Sequence, residues 1–106
     1  MSILKRRNPS ARVRTYHVDV TQSQNVYDTA DKIRHELGQV SILVINAGYV
    51  SGQPLFQESD ESTERTFAVN SVSPIWLLKA FLPYMLDANL GHVVVVSSIL
   101  GLLETY

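Results

Sequence analysis

Cysteine is absent from the 106 residues, so neither a disulfide nor a thiolate metal site is available. The three histidines, His17, His35 and His92, stand far apart without ligand spacing, and no metal site is expected. An excess of one charge is absent too. Nine Lys and Arg against ten Asp and Glu leave a formal net charge of −1, which argues against a nucleic-acid partner. Long apolar runs are also absent, since none reaches the roughly 18 residues of a membrane span. The opening "MSILKRRNPS" lacks the apolar core of a signal peptide. As given, the chain reads as soluble and intracellular. The basic cluster Lys5–Arg7, with Arg12 and Arg14, reads as a solvated terminus, and residues 1–12 are expected to be disordered. No internal repeat, linker or low-complexity tract divides the chain, so residues 1–106 form one domain at most.

What is present is an ordinary apolar fraction, 45%, distributed in a regular pattern. "VRTYHV", Val13–Val18, is β-branched and aromatic and predicts a strand. Thr21 is a plausible N-cap for a helix running to about Leu37, with Val26, Ala30, Ile33 and Leu37 on one stripe and Gly38 as its stop. "ILVIN", Ile42–Asn46, and "VVVV", Val93–Val96, are continuous apolar runs of the kind that suits parallel strands buried on both faces. Between them, Ser59 and Asp60 open a helix expected to reach Asp87. From Phe67 onward it is apolar nearly all round, which predicts cover on more than one side. The order β-α-β-α-β implies an α/β fold with a parallel sheet and right-handed crossovers.

Each predicted strand ends in small or polar residues: Asp19-Val20, then Asn46-Ala47-Gly48, then Ser97-Ser98. In a parallel sheet these ends share one edge, and ligands of open α/β sheets bind outside it. Asp19 offers a carboxylate to an amino or hydroxyl donor. Ala47 and Gly48 let a flat ligand approach the backbone. A serine hydroxyl suits an alcohol or carbonyl oxygen. Asn70 is conspicuous inside the long helix because Pro74, four residues on, has no N–H to give its carbonyl. That carbonyl is expected to be free to hold a water.

"NAG" at a strand end, an asparagine in the following helix and "VVVVSS" in the next strand resemble the short-chain dehydrogenase/reductase family. The stretches "YVSG", "KAFLPYML" and "GHVVVVSS" resemble its retinol and 17β-hydroxysteroid dehydrogenase subgroup. The resemblance runs from Val13 onward and implies the central part of a doubly wound, Rossmann-type sheet, truncated at both ends. It implies NAD or NADP as cofactor, with Asp19 and Val20 beside the adenine and Asn46, Ala47 and Gly48 lining the cofactor cleft. It implies Asn70 as the asparagine of the catalytic set, its carbonyl serving a proton relay through water, and Ser98 as the serine that orients the substrate oxygen. The implied substrate is a hydrophobic alcohol or ketone, a retinoid first and a steroid next. The implied partner is a second copy, docked through helix 59–87. The implied location is the endoplasmic reticulum membrane or a lipid droplet, reached through segments other than this one.

The chain also departs from the pattern. The family's glycine-rich phosphate loop belongs upstream of Val13, and its Tyr-x-x-x-Lys pair belongs downstream of Ser98. Tyr106 follows Ser98 too closely and reads as a loop residue. The 106 residues alone are therefore expected to be inactive. Two other readings stand beside this one. One is a non-catalytic fragment that binds a partner through its apolar helix. The other is an unrelated doubly wound binding module.

Overall fold

The computed structural model describes residues 7–98. Its elements are helix α1 (Ser23–Leu37), strand β1 (Ile42–Ile45), helix α2 (Asp60–Phe67), a π turn (Ala68–Val72), helix α3 (Ser73–Asp87) and strand β2 (His92–Val95). A short 3₁₀ turn, Leu55–Gln57, interrupts the loop between β1 and α2. Of the terminus expected to be disordered, residues 1–12, residues 1–6 lie outside the described residues, as does Tyr106, while Ser10 donates to Asn8 and Arg12 to the Glu36 carbonyl.

The strands pair in parallel, Ile42 opposite His92 through Ile45 opposite Val95. Parallel neighbours need a crossover, and α2, the π turn and α3 supply it. The α/β class and the parallel sheet are thus as the apolar pattern implies. Val13–Val18 differs, because it carries no ladder bond among the described residues. Val13–Val18 finds no strand partner among the described residues. Val18 packs on the core instead, and the Tyr16 hydroxyl donates to Glu36 across the end of α1.

Helix α1 buries Val26 and Ala30 and ends at Gly38, whose φ of 92° only glycine adopts without strain. Its start corrects the expectation for Thr21. Gln22 occupies the N-cap without a side-chain bond, while the Thr21 hydroxyl donates to Asp19 at 2.6 Å. The Asp19 carboxylate accepts from both the Thr21 N–H and the Thr21 hydroxyl, as in an Asx turn, and the helix begins one residue later.

The core is one layer deep. Val26 and Ala30 of α1, Leu43 and Ile45 of β1, and Ala80, Phe81 and Met85 of α3 form one buried cluster. The expectation of strands buried on both faces does not hold for the described residues. Ile42 is 64% exposed and Val44 56%, and Val94 and Val96 are also open to solvent. Among the described residues both packed helices cover the Leu43–Ile45 side, though Val95, opposite Ile45, stays 58% exposed, and the other face is open. The long helix is likewise covered on one side only, with Phe67, Ile75 and Leu86 exposed.

That helix is not continuous. Ser59 caps α2 by accepting from the Ser62 N–H at 3.1 Å. The π turn then inserts an extra residue ahead of Pro74. The Ser73 N–H reaches back five residues to the Ala68 carbonyl, and the fully buried Ser73 hydroxyl donates to the Val69 carbonyl at 2.6 Å. A proline ring within an α-helix clashes with the carbonyl four residues back and leaves it without a donor. Widening the turn relieves that clash, which is why π turns accompany such interruptions.

Candidate functional site

Register sets the site. Because Ile45 stands opposite Val95, the two strands end level, and the Val96 N–H donates to the Ile45 carbonyl at 2.9 Å. Asn46-Ala47-Gly48 and Ser97-Ser98 therefore leave the sheet side by side. The π turn brings Asn70 across to them. Together with Tyr49, Val50 and Val96 these residues line an open hollow of about 470 Å³. Three separated stretches of sequence, 46–50, Asn70 and 96–98, thus converge at the carboxyl edge of the parallel sheet, where open α/β folds hold their ligands.

Asn70 is held by a pair of bonds to one residue. Its Oδ1 accepts from the Tyr49 N–H at 2.9 Å, and its Nδ2 donates to the Tyr49 carbonyl at 2.8 Å. The side chain is committed to the loop after β1, so any role in chemistry falls to its backbone carbonyl. Pro74 denies that carbonyl its α-helical donor. Above Gly48 there is room. A Cβ built there would meet only Asn70 Oδ1, at 3.7 Å. The lining sets amide and hydroxyl groups beside the apolar Ala47, Val50 and Val96, and suits a flat ligand with hydrogen-bonding edges.

Asp19 and Val20 do not line this hollow. Asp19 is exposed and sits in the turn before α1, where its carboxylate accepts from the Thr21 hydroxyl and from the Thr21 N–H at 3.0 Å. These bonds hold its carboxyl below the usual range, and the charges of Arg65 and His17 add to the effect. The Arg65 guanidinium also lies 5.5 Å from the centroid of the Tyr49 ring.

Sequence reasoning did not select the residues that hold this loop. The Tyr49 hydroxyl lies 3.2 Å from Ser62 Oγ, which donates to Glu58 Oε1 at 3.0 Å. Hydroxyl donors, Ser51 first and then Ser62, hold the Glu58 carboxyl below its ordinary range. The signal available was slight. Glu58 and Ser62 are an (i, i+4) pair straddling a helix cap, which in a sequence looks like any solvated first turn. Among the described residues no group of His, Asp and Glu could hold a metal ion, and no helix is long and apolar enough to cross a membrane.

Residues 2–106 match the family model of the short chain dehydrogenases. Among curated proteins, the chain is 53% identical over 91 residues to retinol dehydrogenase 10 of Homo sapiens, covering 86% of this chain and 27% of that protein. It is 50% identical over 93 residues to retinol dehydrogenase 10-A of Danio rerio, covering 88% and 27%. The chain thus spans about 27% of the length of the curated relatives it matches. Among solved structures, it resembles a short-chain dehydrogenase from Streptomyces avermitilis with a TM-score of 0.82 and 28% identity, covering 95% of this chain and 37% of that one. It also resembles a metagenomic short-chain oxidoreductase in complex with NADP, with a TM-score of 0.78 and 30% identity, covering 85% and 41%. The strand ends, the clamped asparagine and the family match agree, and the chain belongs to the short-chain dehydrogenase family.

Proposed function

We propose that the protein carrying this chain is an NAD(P)-dependent oxidoreductase acting on a hydrophobic alcohol or ketone, with retinol and retinal as the first substrates to test and steroids next. The observation that carries it is the hollow in which Asn46, Ala47, Gly48, Asn70 and Ser98 meet at one sheet edge. The similarity to retinol dehydrogenase 10 supports the substrate class. The neighbour in complex with NADP supports the cofactor class.

In this reading Asp19 and Val20 flank the adenine, and Ala47 and Gly48 give the backbone close approach to the nicotinamide end. When bound, the nicotinamide supplies the site that gives or takes a hydride. The Ser98 hydroxyl orients the substrate oxygen. The Asn70 carbonyl, without an α-helical donor, holds a water that passes a proton, while its side chain keeps the loop in place. A second copy docks through helix 59–87, where Phe67, Ile75 and Leu86 are exposed, and the protein works at the endoplasmic reticulum membrane or a lipid droplet. The 106 residues alone are inactive in this reading, because the phosphate loop and the Tyr-x-x-x-Lys pair of the family lie outside them.

The test is retinol oxidation and retinal reduction by the full-length protein with NAD and with NADP. Turnover that falls at least tenfold in Ser98→Ala supports the reading. Absence of turnover on retinoids and steroids with both cofactors overturns it.

A further inference from the structure

The loop from Asn46 to Glu58 carries the floor of the hollow, yet it has only one short turn of regular structure. Something must fix it, because a loop without ladder bonds otherwise samples many conformations. Its backbone is held at Tyr49 by Asn70. Its far end is held by a second device. Glu58 stands just before the α2 cap and accepts from Ser62 Oγ, so the Ser62 proton is committed to the carboxylate. The Tyr49 hydroxyl, 3.2 Å from Ser62 Oγ, then acts as donor to that oxygen. The chain Tyr49 to Ser62 to Glu58 ends on a charged acceptor, and charge-assisted bonds are the stronger kind. The Tyr49 ring, between this chain and the Arg65 guanidinium, joins it to the residue that Asn70 clamps.

We propose that Glu58 is a positioning residue for the nucleotide cleft, acting through the Ser62 and Tyr49 hydroxyls to hold Ala47 and Gly48 where a flat cofactor ring can lie against them. Glu58 does not line the hollow and touches no ligand itself. Its effect is on cofactor affinity, because it determines how often the loop is already in the binding shape. This rests on the oxidoreductase reading given above.

The test uses the full-length protein as wild type, Glu58→Ala, Glu58→Gln, Tyr49→Phe and the Glu58→Ala/Tyr49→Phe double variant. Calorimetry gives the Kd for NAD and NADP, steady-state kinetics split the cofactor KM from kcat, and hydrogen exchange follows residues 47–51. Removing one such bond is expected to weaken cofactor binding roughly fivefold, as a rise in Kd and KM rather than a fall in kcat. Exchange at residues 47–51 quickens in the same variants. The double variant loses little more than either single one, because the two residues act in one chain. Glu58→Gln keeps an acceptor oxygen and recovers part of the affinity. If Glu58→Ala does not fold, Tyr49→Phe, which removes one oxygen, carries the test. Wild-type affinity in folded variants overturns the role of Glu58, and so does a loss confined to kcat. The broader reading is judged from the wild type: binding neither NAD nor NADP overturns both, whereas wild-type binding with unaltered variants overturns the Glu58 role alone.

Discussion

Asn70 and Tyr49 hold one another by two bonds of 2.9 and 2.8 Å, the amide of one residue reading the N–H and the carbonyl of the other. The pairing resembles a rung of sheet made by a side chain. It ties the π turn to the loop after β1 across 21 residues of sequence.

Asn70→Asp should therefore be worse than Asn70→Ala. The aspartate keeps the acceptor but turns the donor into a negative oxygen facing the Tyr49 carbonyl. The site is exposed, so water repairs part of the alanine variant, and its cost is expected at about 1 kcal/mol. Urea unfolding of both variants checks the order. Equal stability of the two would show that the added charge facing the Tyr49 carbonyl costs no more than the retained Oδ1 bond contributes.

Gly48→Ala separates folding from binding. The new methyl would come within 3.7 Å of Asn70 Oδ1 only, an ordinary contact. Stability should stay within about 0.5 kcal/mol of the parent, in the range of harmless surface changes. Under the proposed cofactor role, affinity should fall, because the methyl fills space above Gly48. Thermal unfolding beside a calorimetric titration reads the two effects independently.

Gly91 shows the opposite behaviour. A Cβ there would lie 3.0 Å from Met85 Cβ and 3.2 Å from Met85 Cγ, both near the backbone of a buried residue. Gly91→Ala should cost about 1–3 kcal/mol as an overpacked contact. Met85→Ala is itself costly in the core, but with Gly91→Ala the two losses should sum to less than their separate values, since it clears Met85 Cγ and Cε from the same space. A double-mutant cycle by chemical denaturation measures the coupling.

Acid should loosen the loops around the site. Asp19 and Glu58 both titrate below their ordinary values, through Thr21 and through the Ser51 and Ser62 hydroxyls respectively. A carboxyl depressed in the folded state adds stability above its unfolded pKa, and that contribution is lost as pH falls through the folded value. The loss should run from about pH 4 downward, where unperturbed carboxyls begin to protonate. Hydrogen exchange at residues 47–51 and at the start of α1 should quicken over that window. Asp19→Asn and Glu58→Gln should each flatten the dependence at their own end.

Arg34 joins the two helices that cover the sheet. Its guanidinium lies 3.8 Å from the Tyr84 ring centroid, donates to the Ala80 carbonyl at 3.2 Å and pairs with Asp31. Lysine cannot reproduce a planar group that stacks and forks at once, so Arg34→Lys should lose most of what Arg34→Ala loses, about 1–2 kcal/mol. Thermal unfolding of the pair tests this, and a lysine variant as stable as the parent would contradict it.

The sequence by itself determined the elements and the motif. Period and apolar runs place α1, β1, α3 and β2, since a helix must bury a stripe and a parallel strand needs an apolar run. The small and polar residues after each strand are local facts too, so Asn46, Ala47, Gly48 and Ser98 could be named before any contact was known. Pro74 announced that the helix would be disturbed near Asn70, but whether by a kink or a widened turn depended on how Ser73 bonds back to Val69 and Ala68. Tertiary structure alone decided the rest. Among the described residues Val13–Val18 is not a strand, because a strand exists only where a neighbour supplies a ladder, and no residue pattern shows the neighbour. Thr21 is tied into a turn with Asp19 and the cap position falls to Gln22, a one-residue shift that composition does not settle. Tyr49, Ser62 and Glu58 came together because the loop folds back on the helix cap. Hydrogen bonds between residues distant in sequence depend on that fold, and no periodicity records them.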